Sequence, residues 1–370
     1  MIKVLVIDDS ALMRAFLARV VGSQPDMTLA GVVPDARLAF DRVRRTAPDV
    51  LTLDVEMPGM NGLDFLRHLM AVRPLPVIMI SSLTQQGADT TLRALELGAV
   101  DFFPKPADFR ALDTLVDEIA EKIRAAAQAR VARRGAASTP AAPAPPAVSR
   151  LPAAGPAVSA GATVIGIGAS TGGVEALRAI LTRLPADMPP ILVAQHMLPG
   201  FTEAFARRLD AICALRVKEG TDGEEVREGT VYVAPGGRHL LLVRRAQRYL
   251  LRVTEDPPVN RHRPSVEVLF RSMVDAAGAA SIGVMLTGMG GDGAEALLAL
   301  RQCGARTLAQ DEASSVVFGM PRQAILLGAA GEVVALQAMA PRLRELALPA
   351  ARGAAPAAGG SRPPSEEDIR

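Results

Sequence analysis

The sequence predicts two α/β domains, each a doubly wound parallel sheet covered by helices, with an Ala/Pro-rich segment between them. Three observations carry this. At 370 residues the chain is too long for one ordinary core, given about 150 residues per domain. Short β-branched runs alternate with helical patterns on both sides of the segment, which implies parallel strands joined by crossover helices. Between Val131 and Ala160, 17 of the 30 residues are Ala or Pro and none is aromatic. Such a stretch buries too little surface to offset its ordering entropy. The expected division is a first domain over 1–128, a flexible linker over 129–160, a second domain over 161–348 and a disordered tail over 349–370, which repeats the linker composition.

In the first domain the strand-like runs are Lys3 to Ile7, Thr28 to Val33, Val50 to Leu53, Val77 to Ile80 and Asp101 to Phe103. The second has Val164 to Ile167, Ile191 to Ala194, Ile282 to Thr287 and Arg306 to Ala309. Val231 to Val233, Leu240 to Val243 and Leu250 to Val253 lie close together with turns between them, so a β-hairpin is expected there.

Composition excludes several classes. Lys+Arg 41 against Asp+Glu 39 leaves a net charge of +2, and aromatic residues make up 3%, so nucleic acid is not expected as a ligand. The N-terminus places a Lys and two Asp where a signal peptide needs an apolar run. No stretch reaches the ~18 apolar residues of a membrane span, so no membrane insertion is expected. Two cysteines, Cys213 and Cys303, exclude a disulfide scaffold, and the reducing cytoplasm is the expected compartment.

Ligands of an open parallel sheet bind beyond the carboxyl ends of its strands. In the first domain those positions hold Asp8 and Asp9, Asp54, Ser81 and Lys105. Crowded carboxylates call for a hard cation, and Mg²⁺ suits them. Asp54 is the candidate nucleophile toward phosphorus, since it ends an apolar strand and heads the rigid turn Asp54-Val55-Glu56-Met57-Pro58-Gly59-Met60-Asn61-Gly62. Lys105, between Pro104 and Pro106, would pair with a phosphoryl group. Taken singly, Asp9 or Ser10 could equally be a helix cap and Lys105 a solvated charge; their joint placement after four strands favours the site. The double Asp, the D-x-x-M-P-x-M-x-G turn, the strand-end Ser and the K-P resemble the receiver domain of two-component response regulators. That resemblance implies a flavodoxin-like sheet of order 2-1-3-4-5 and phosphorylation of Asp54 by a histidine kinase. It further implies Mg²⁺ on Asp9, Asp54 and the Glu56 carbonyl with Asp8 nearby, and sensing of the phosphate by Ser81 and Lys105.

The second domain opens with Gly166-Ile167-Gly168-Ala169-Ser170-Thr171-Gly172-Gly173, a strand running into a Gly-rich turn. As a dinucleotide fingerprint it fails at Thr171, which stands where the last glycine belongs. As G-x-S-x-G it matches through Gly168, Ser170 and Gly172. Ser170 could also be a plain helix cap. A serine nucleophile needs a base and a group to orient that base. His196 follows the strand ending at Ala194, and the loop Gly288-Met289-Gly290-Gly291-Asp292-Gly293 brings Asp292 to the same edge. His68 reads as a surface residue of the first domain, and His239 and His262 as packing or cleft residues. Cys213 and Cys303 lie in apolar-periodic stretches with no adjacent base.

The chain order Ser170, His196, Asp292 differs from that of α/β-hydrolases, which implies a convergent triad on a Rossmann-like sheet. G-x-S-x-G-G, the Q-H strand end, N-R-H-R-P-S and L-T-G-M-G-x-D-G resemble the catalytic domain of bacterial chemotaxis protein-glutamate methylesterases. This resemblance implies hydrolysis of glutamyl methyl esters on methylated chemoreceptors, with release of methanol, and deamidation of receptor glutamines. It assigns attack to Ser170, proton transfer to His196, orientation to Asp292 and oxyanion binding to the backbone N–H groups of Thr171 and Met289. No cofactor is expected in that domain. The rival readings are a transcription factor with a receiver input, for which no recognition helix is found, and a dinucleotide-dependent oxidoreductase.

Overall fold

Strands β1 (Ile2–Ile7), β2 (Met27–Val33), β3 (Val50–Asp54), β4 (Val77–Ser81) and β5 (Asp101–Pro104) form one sheet of order β2-β1-β3-β4-β5. All its pairings are parallel. The structure is a computed structural model and describes residues 1–81, 84–105, 112–129, 131 and 155–347. Helices α1 (Ala11–Gly22), α2 (Ala36–Thr46), α3 (Gly62–Val72), α4 (Gln85–Glu96) and α5 (Leu112–Gln128) flank the sheet. β3 and β4 are buried along their whole length, as central parallel strands covered on both faces must be. The turns into α1, α2 and α3 each end on a side-chain cap, from Ser10, Asp35 and Asn61. Ser10 is thus the cap of α1, and Asp9 is left exposed beside it.

The second sheet has seven parallel strands in the order β14-β13-β12-β6-β7-β9-β8. They are β6 (Val164–Ala169), β7 (Ile191–Gln195), β8 (Arg216–Glu219), β9 (Thr230–Val233), β12 (Ser281–Met285), β13 (Arg306–Gln310) and β14 (Glu332–Val334). β10 (His239–Arg245) and β11 (Arg248–Thr254) make a separate antiparallel hairpin. Helices α6 (Gly173–Leu181), α7 (Phe201–Ile212), α8 (Val266–Ala276), α9 (Ala294–Gln302), α10 (Met320–Leu326) and α11 (Leu336–Ala347) complete the domain. Both domains are α/β with parallel sheets, as expected.

One strand falls elsewhere than expected. Val231 to Val233 joins the parallel sheet beside β7 rather than the hairpin, because the four residues of β9 are buried on both faces, where a half-solvated hairpin would alternate. The edge strands β8 and β14 escaped the sequence pattern, being short and carrying charge. Residues 155–160, which composition groups with the linker, make bridges from Ala157 to Arg227 and from Ser159 to Arg248. Val158 between them is 3% exposed. The rest of the linker, apart from 129 and 131, and the tail from 349 lie outside the described residues, as does Pro106. Among the described residues no helix is long and apolar enough to cross a membrane.

Candidate functional site

Each sheet reverses its strand order next to its first strand, and each site lies there. In the first domain the reversal falls between β1 and β3, where Asp8 follows β1 and Asp54 ends β3. Ligand oxygens of Asp8, Asp9 and Asp54 all lie within 4.8 Å of one another. Lys105 Nζ donates to Asp54 Oδ2 at 2.7 Å and stands 3.9 Å from Asp8 Oδ2. Burial drives the Asp54 carboxyl up to about 7 against the pull of Lys105, and burial likewise raises Asp8. Asp8 Oδ2 is buried with no hydrogen-bond partner. Three clustered carboxylates, one with an orphaned oxygen, fit a hard divalent cation such as Mg²⁺. Glu56 N–H donates to Asp54 Oδ1 at 3.1 Å. A Cβ on residue 62 would lie 2.1 Å from the Asp54 carbonyl, so the turn closes only over glycine. Ser81 is buried at the end of β4, with its Oγ donating to the Gly87 carbonyl at 3.2 Å.

In the second domain β6 lies between β7 and β12, with later strands placed on both sides. The register pairs Ala169 with Gln195, so the next residues, Ser170 and His196, emerge side by side. Ser170 N–H donates to the Thr287 carbonyl at 3.0 Å, which ties the turn to the loop after β12. Gly172, at φ +79, caps α6 without a side chain, so Ser170 is not the helix cap. A Cβ at 168 would lie 2.2 Å from Val266 Cγ1 and one at 172 would lie 2.6 Å from Val316 Cβ. Both glycines of G-x-S-x-G are therefore set by close packing.

His196 Nε2 lies 2.8 Å from Asp292 Oδ2, while its Nδ1 is buried with no partner. Asp292 is 3% exposed and heavily bonded. Its Oδ1 accepts from Asn260 Nδ2 and Ser265 Oγ, each at 2.8 Å, and its Oδ2 from Val266 N–H at 2.7 Å. Burial alone would raise this carboxyl, but hydrogen bonds from His196, Asn260 and Ser265 outweigh it and hold the group at about 2. Seating at the N-terminus of α8 adds a favourable dipole. The His262 ring stacks on His196, centroids 3.7 Å apart and planes at 13°. Burial, then the neighbouring His196, bring His262 down to about 3. Among the described residues neither Thr171 N–H nor Met289 N–H donates a hydrogen bond.

Residues 165–343 match the family model described as CheB methylesterase, and residues 4–117 match the response regulator receiver domain. Protein-glutamate methylesterase/protein-glutamine glutaminase 3 of Burkholderia lata is 53% identical over 353 residues, which cover 92% of this chain and 94% of that one. The chain belongs to the protein-glutamate methylesterase/protein-glutamine glutaminase family. The Bordetella pertussis member is 54% identical over 346 residues, covering 92% and 96% of the two chains. The solved catalytic domain of Thermotoga maritima CheB methylesterase is 39% identical, with a TM-score of 0.49, and covers 50% of this chain and 98% of that one. The protein is a hydrolase that carries a receiver domain.

The receiver domain lies against the cleft that Ser170 and His196 line. Thr171 Oγ1 donates to Asp101 Oδ2 at 2.6 Å, and Lys122 holds the same oxygen at 3.0 Å. Phe102 stacks on Phe201 at 4.5 Å. Glu96 pairs with Arg208, and Glu121 pairs with Arg261 at 3.1 Å. The space enclosed among Asp101, Phe102, Ser170, Gln195 and His196 is about 20 Å³, room for about one water molecule.

Sequence reasoning did not assign Asn260 and Ser265, which hold Asp292. They stand in the N-R-H-R-P-S string, but nothing local to that string names an acid 27 residues away. His239 is buried, its Nδ1 accepting from Ser265 N–H, and it does not reach His196. His68 is exposed, as expected. Burial pushes the Cys213 thiol up to about 12, so it offers no ready thiolate, and the Cys303 thiol donates to the Leu300 carbonyl.

Proposed function

We propose that this protein is a cytoplasmic enzyme that hydrolyses glutamate γ-methyl esters, and deamidates glutamines, on chemoreceptors, with Ser170 as nucleophile. The observation that carries this reading is the His196 ring, whose Nε2 is committed to Asp292 and whose Nδ1 stands unpartnered at the strand end beside Ser170. Donation of Nε2–H to the carboxylate leaves the lone pair on Nδ1, as a base requires. Ser170 Oγ attacks the ester carbonyl while its proton passes to His196 Nδ1. Asp292 stabilises the imidazolium that forms. The unbonded N–H groups of Thr171 and Met289 take the oxyanion. His196 returns the proton to the departing methoxide, giving methanol, or to the nitrogen of a glutamine, giving ammonia. Water attacks the acyl-serine by the same route and leaves glutamate.

In the receiver, Asp54 accepts a phosphoryl group from a histidine kinase. Asp8, Asp9, Asp54 and the Glu56 carbonyl would hold Mg²⁺, which when bound neutralises charge between phosphate and carboxylate. Lys105 and Ser81 hold the phosphoryl oxygens. The unphosphorylated receiver covers the Ser170 cleft, and the phosphorylated form releases it, with residues 1–128 and 161–348 acting as separate units about the connecting segment. Treatment of the protein with a serine-reactive phosphonate, with acetyl phosphate and Mg²⁺ present, tests the catalytic reading. Modification mapped to Ser170 is the expected outcome, and modification elsewhere with Ser170 intact overturns it.

A further inference from the structure

We propose that Gln195 is a positioning residue that locks the serine turn to the base, an inference that rests on the Ser170–His196 reading above. Gln195 ends β7 and is 3% exposed. Its Nε2 donates to the Ser170 carbonyl at 2.9 Å and to the His196 carbonyl at 3.2 Å. One amide thereby holds the main chains of both reacting residues, which come from different strands. Its Oε1 is buried with no partner. It occupies the space a side chain at 173 would fill, since a Cβ there would lie 2.1 Å from it. A buried acceptor without a donor is unfavourable, so what this amide contributes comes from its NH₂.

The ladder between β6 and β7 gives the reason. Its last rung is His196 N–H to the Ala169 carbonyl, at 3.1 Å. One rung further, a regular parallel ladder would join Thr171 N–H to the His196 carbonyl. Gln195 Nε2 takes that carbonyl instead, and Thr171 N–H makes no hydrogen bond among the described residues. The same side chain thus fixes the nucleophile's turn, fixes the base, and frees the oxyanion donor between them.

The test uses full-length protein with acetyl phosphate and Mg²⁺, reading methanol release from methylated chemoreceptor. Gln195→Met keeps the length and loses both donors. It is expected to lower kcat about a hundredfold, the size of a sub-ångström to 1 Å misplacement, with KM within twofold. Gln195→Glu is expected to be as slow at pH 8, where an ionised carboxylate offers only acceptors to two carbonyls. As pH falls its carboxyl gains a proton and one donor, so the ratio of variant to parent kcat should rise. His196, Asp101 and Glu175 line the same cleft, so parent and variant are measured together at each pH. A folded Gln195→Met with parental kcat, or with only KM altered, overturns the positioning role. If that variant does not fold, a flat ratio for Gln195→Glu overturns it. Ser170→Ala run beside them separates the two readings, because retained turnover there refutes the serine mechanism whatever Gln195 does.

Discussion

His262 shows how burial and a stacked neighbour change the titration of one residue. It lies flat on His196 in a loop where Asn260 and Arg261 take φ of 52° and 68°, conformations unfavourable for non-glycine residues. The bond from Asn260 Nδ2 to Asp292 offsets that strain. His262 falls from its ordinary 6.5 to about 3. Between those values the unfolded chain holds a proton that the folded chain does not, so stability falls as pH drops through this window. Asp292, lowered from 3.8 to about 2, contributes stability that is complete above about 3.8 and is lost as pH falls toward 2. The two groups therefore act in different windows. His262→Phe keeps a flat ring on His196 and removes the upper one. Its urea midpoint should fall less between pH 7 and pH 5 than the parent's, and an equal fall would show that His262 titrates normally. For catalysis, Asp292→Asn should lower kcat by about 10⁴, as expected when the base loses its orienting carboxylate. Near-parental methanol release from the folded variant would remove Asp292 from the mechanism.

Among the elements, the strand ends that carry chemistry were legible because central parallel strands are continuous apolar runs and the residue after each is polar. Ile191 to Ala194 followed by Gln195 and His196 is such a case, and so is Val50 to Leu53 followed by Asp54. What escaped was set by contacts distant in sequence. β14 has three residues, and only pairing with β13 makes it a strand. The cradle around Asp292 forms because α8 and the loop after β12 meet, and no local pattern encodes that meeting. The glycines of the serine turn answer to space as well as to the motif. Gly172 combines φ +79 with a Cβ position 2.6 Å from Val316. Gly172→Ala should therefore destabilise by about 1–3 kcal/mol through strain and overpacking. It should also slow phosphonate labelling of Ser170 as the turn shifts. Unchanged melting and unchanged labelling would mean that the turn absorbs a methyl group freely.

Across the whole molecule, the elements that hold Lys105 and Ser81 in the receiver also reach the catalytic domain. Lys105 follows β5, whose Asp101 and Phe102 meet Thr171 and Phe201, and Ser81 ends β4, ahead of α4. α4 in turn contributes Glu96 to Arg208 and Asp89 to Arg207. Under the proposed function, a phosphoryl group on Asp54 would draw Lys105 away from that carboxylate and so act on the strand whose Asp101 and Phe102 line the cleft at Ser170. The half-exposed ion pairs of this contact contribute little beside the buried Phe102–Phe201 stack, each being worth up to about 1 kcal/mol. The Glu96–Arg208 pair, with side chains 36% and 29% exposed, is of that kind. Arg208→Glu should then raise methanol release by the unphosphorylated protein about fivefold, the ratio that corresponds to about 1 kcal/mol, and Glu96→Arg should do the same. Combining the two restores opposite charges and should return activity to the parental level, whereas simple damage would accumulate. The measurement is made without phosphodonor and in EDTA, so that phosphorylation contributes nothing to the signal. If both single charge reversals leave the unphosphorylated rate unchanged, the contact between α4 and α7 does not hold the cleft closed, and the covering must rest on the contacts made by β5 and α5.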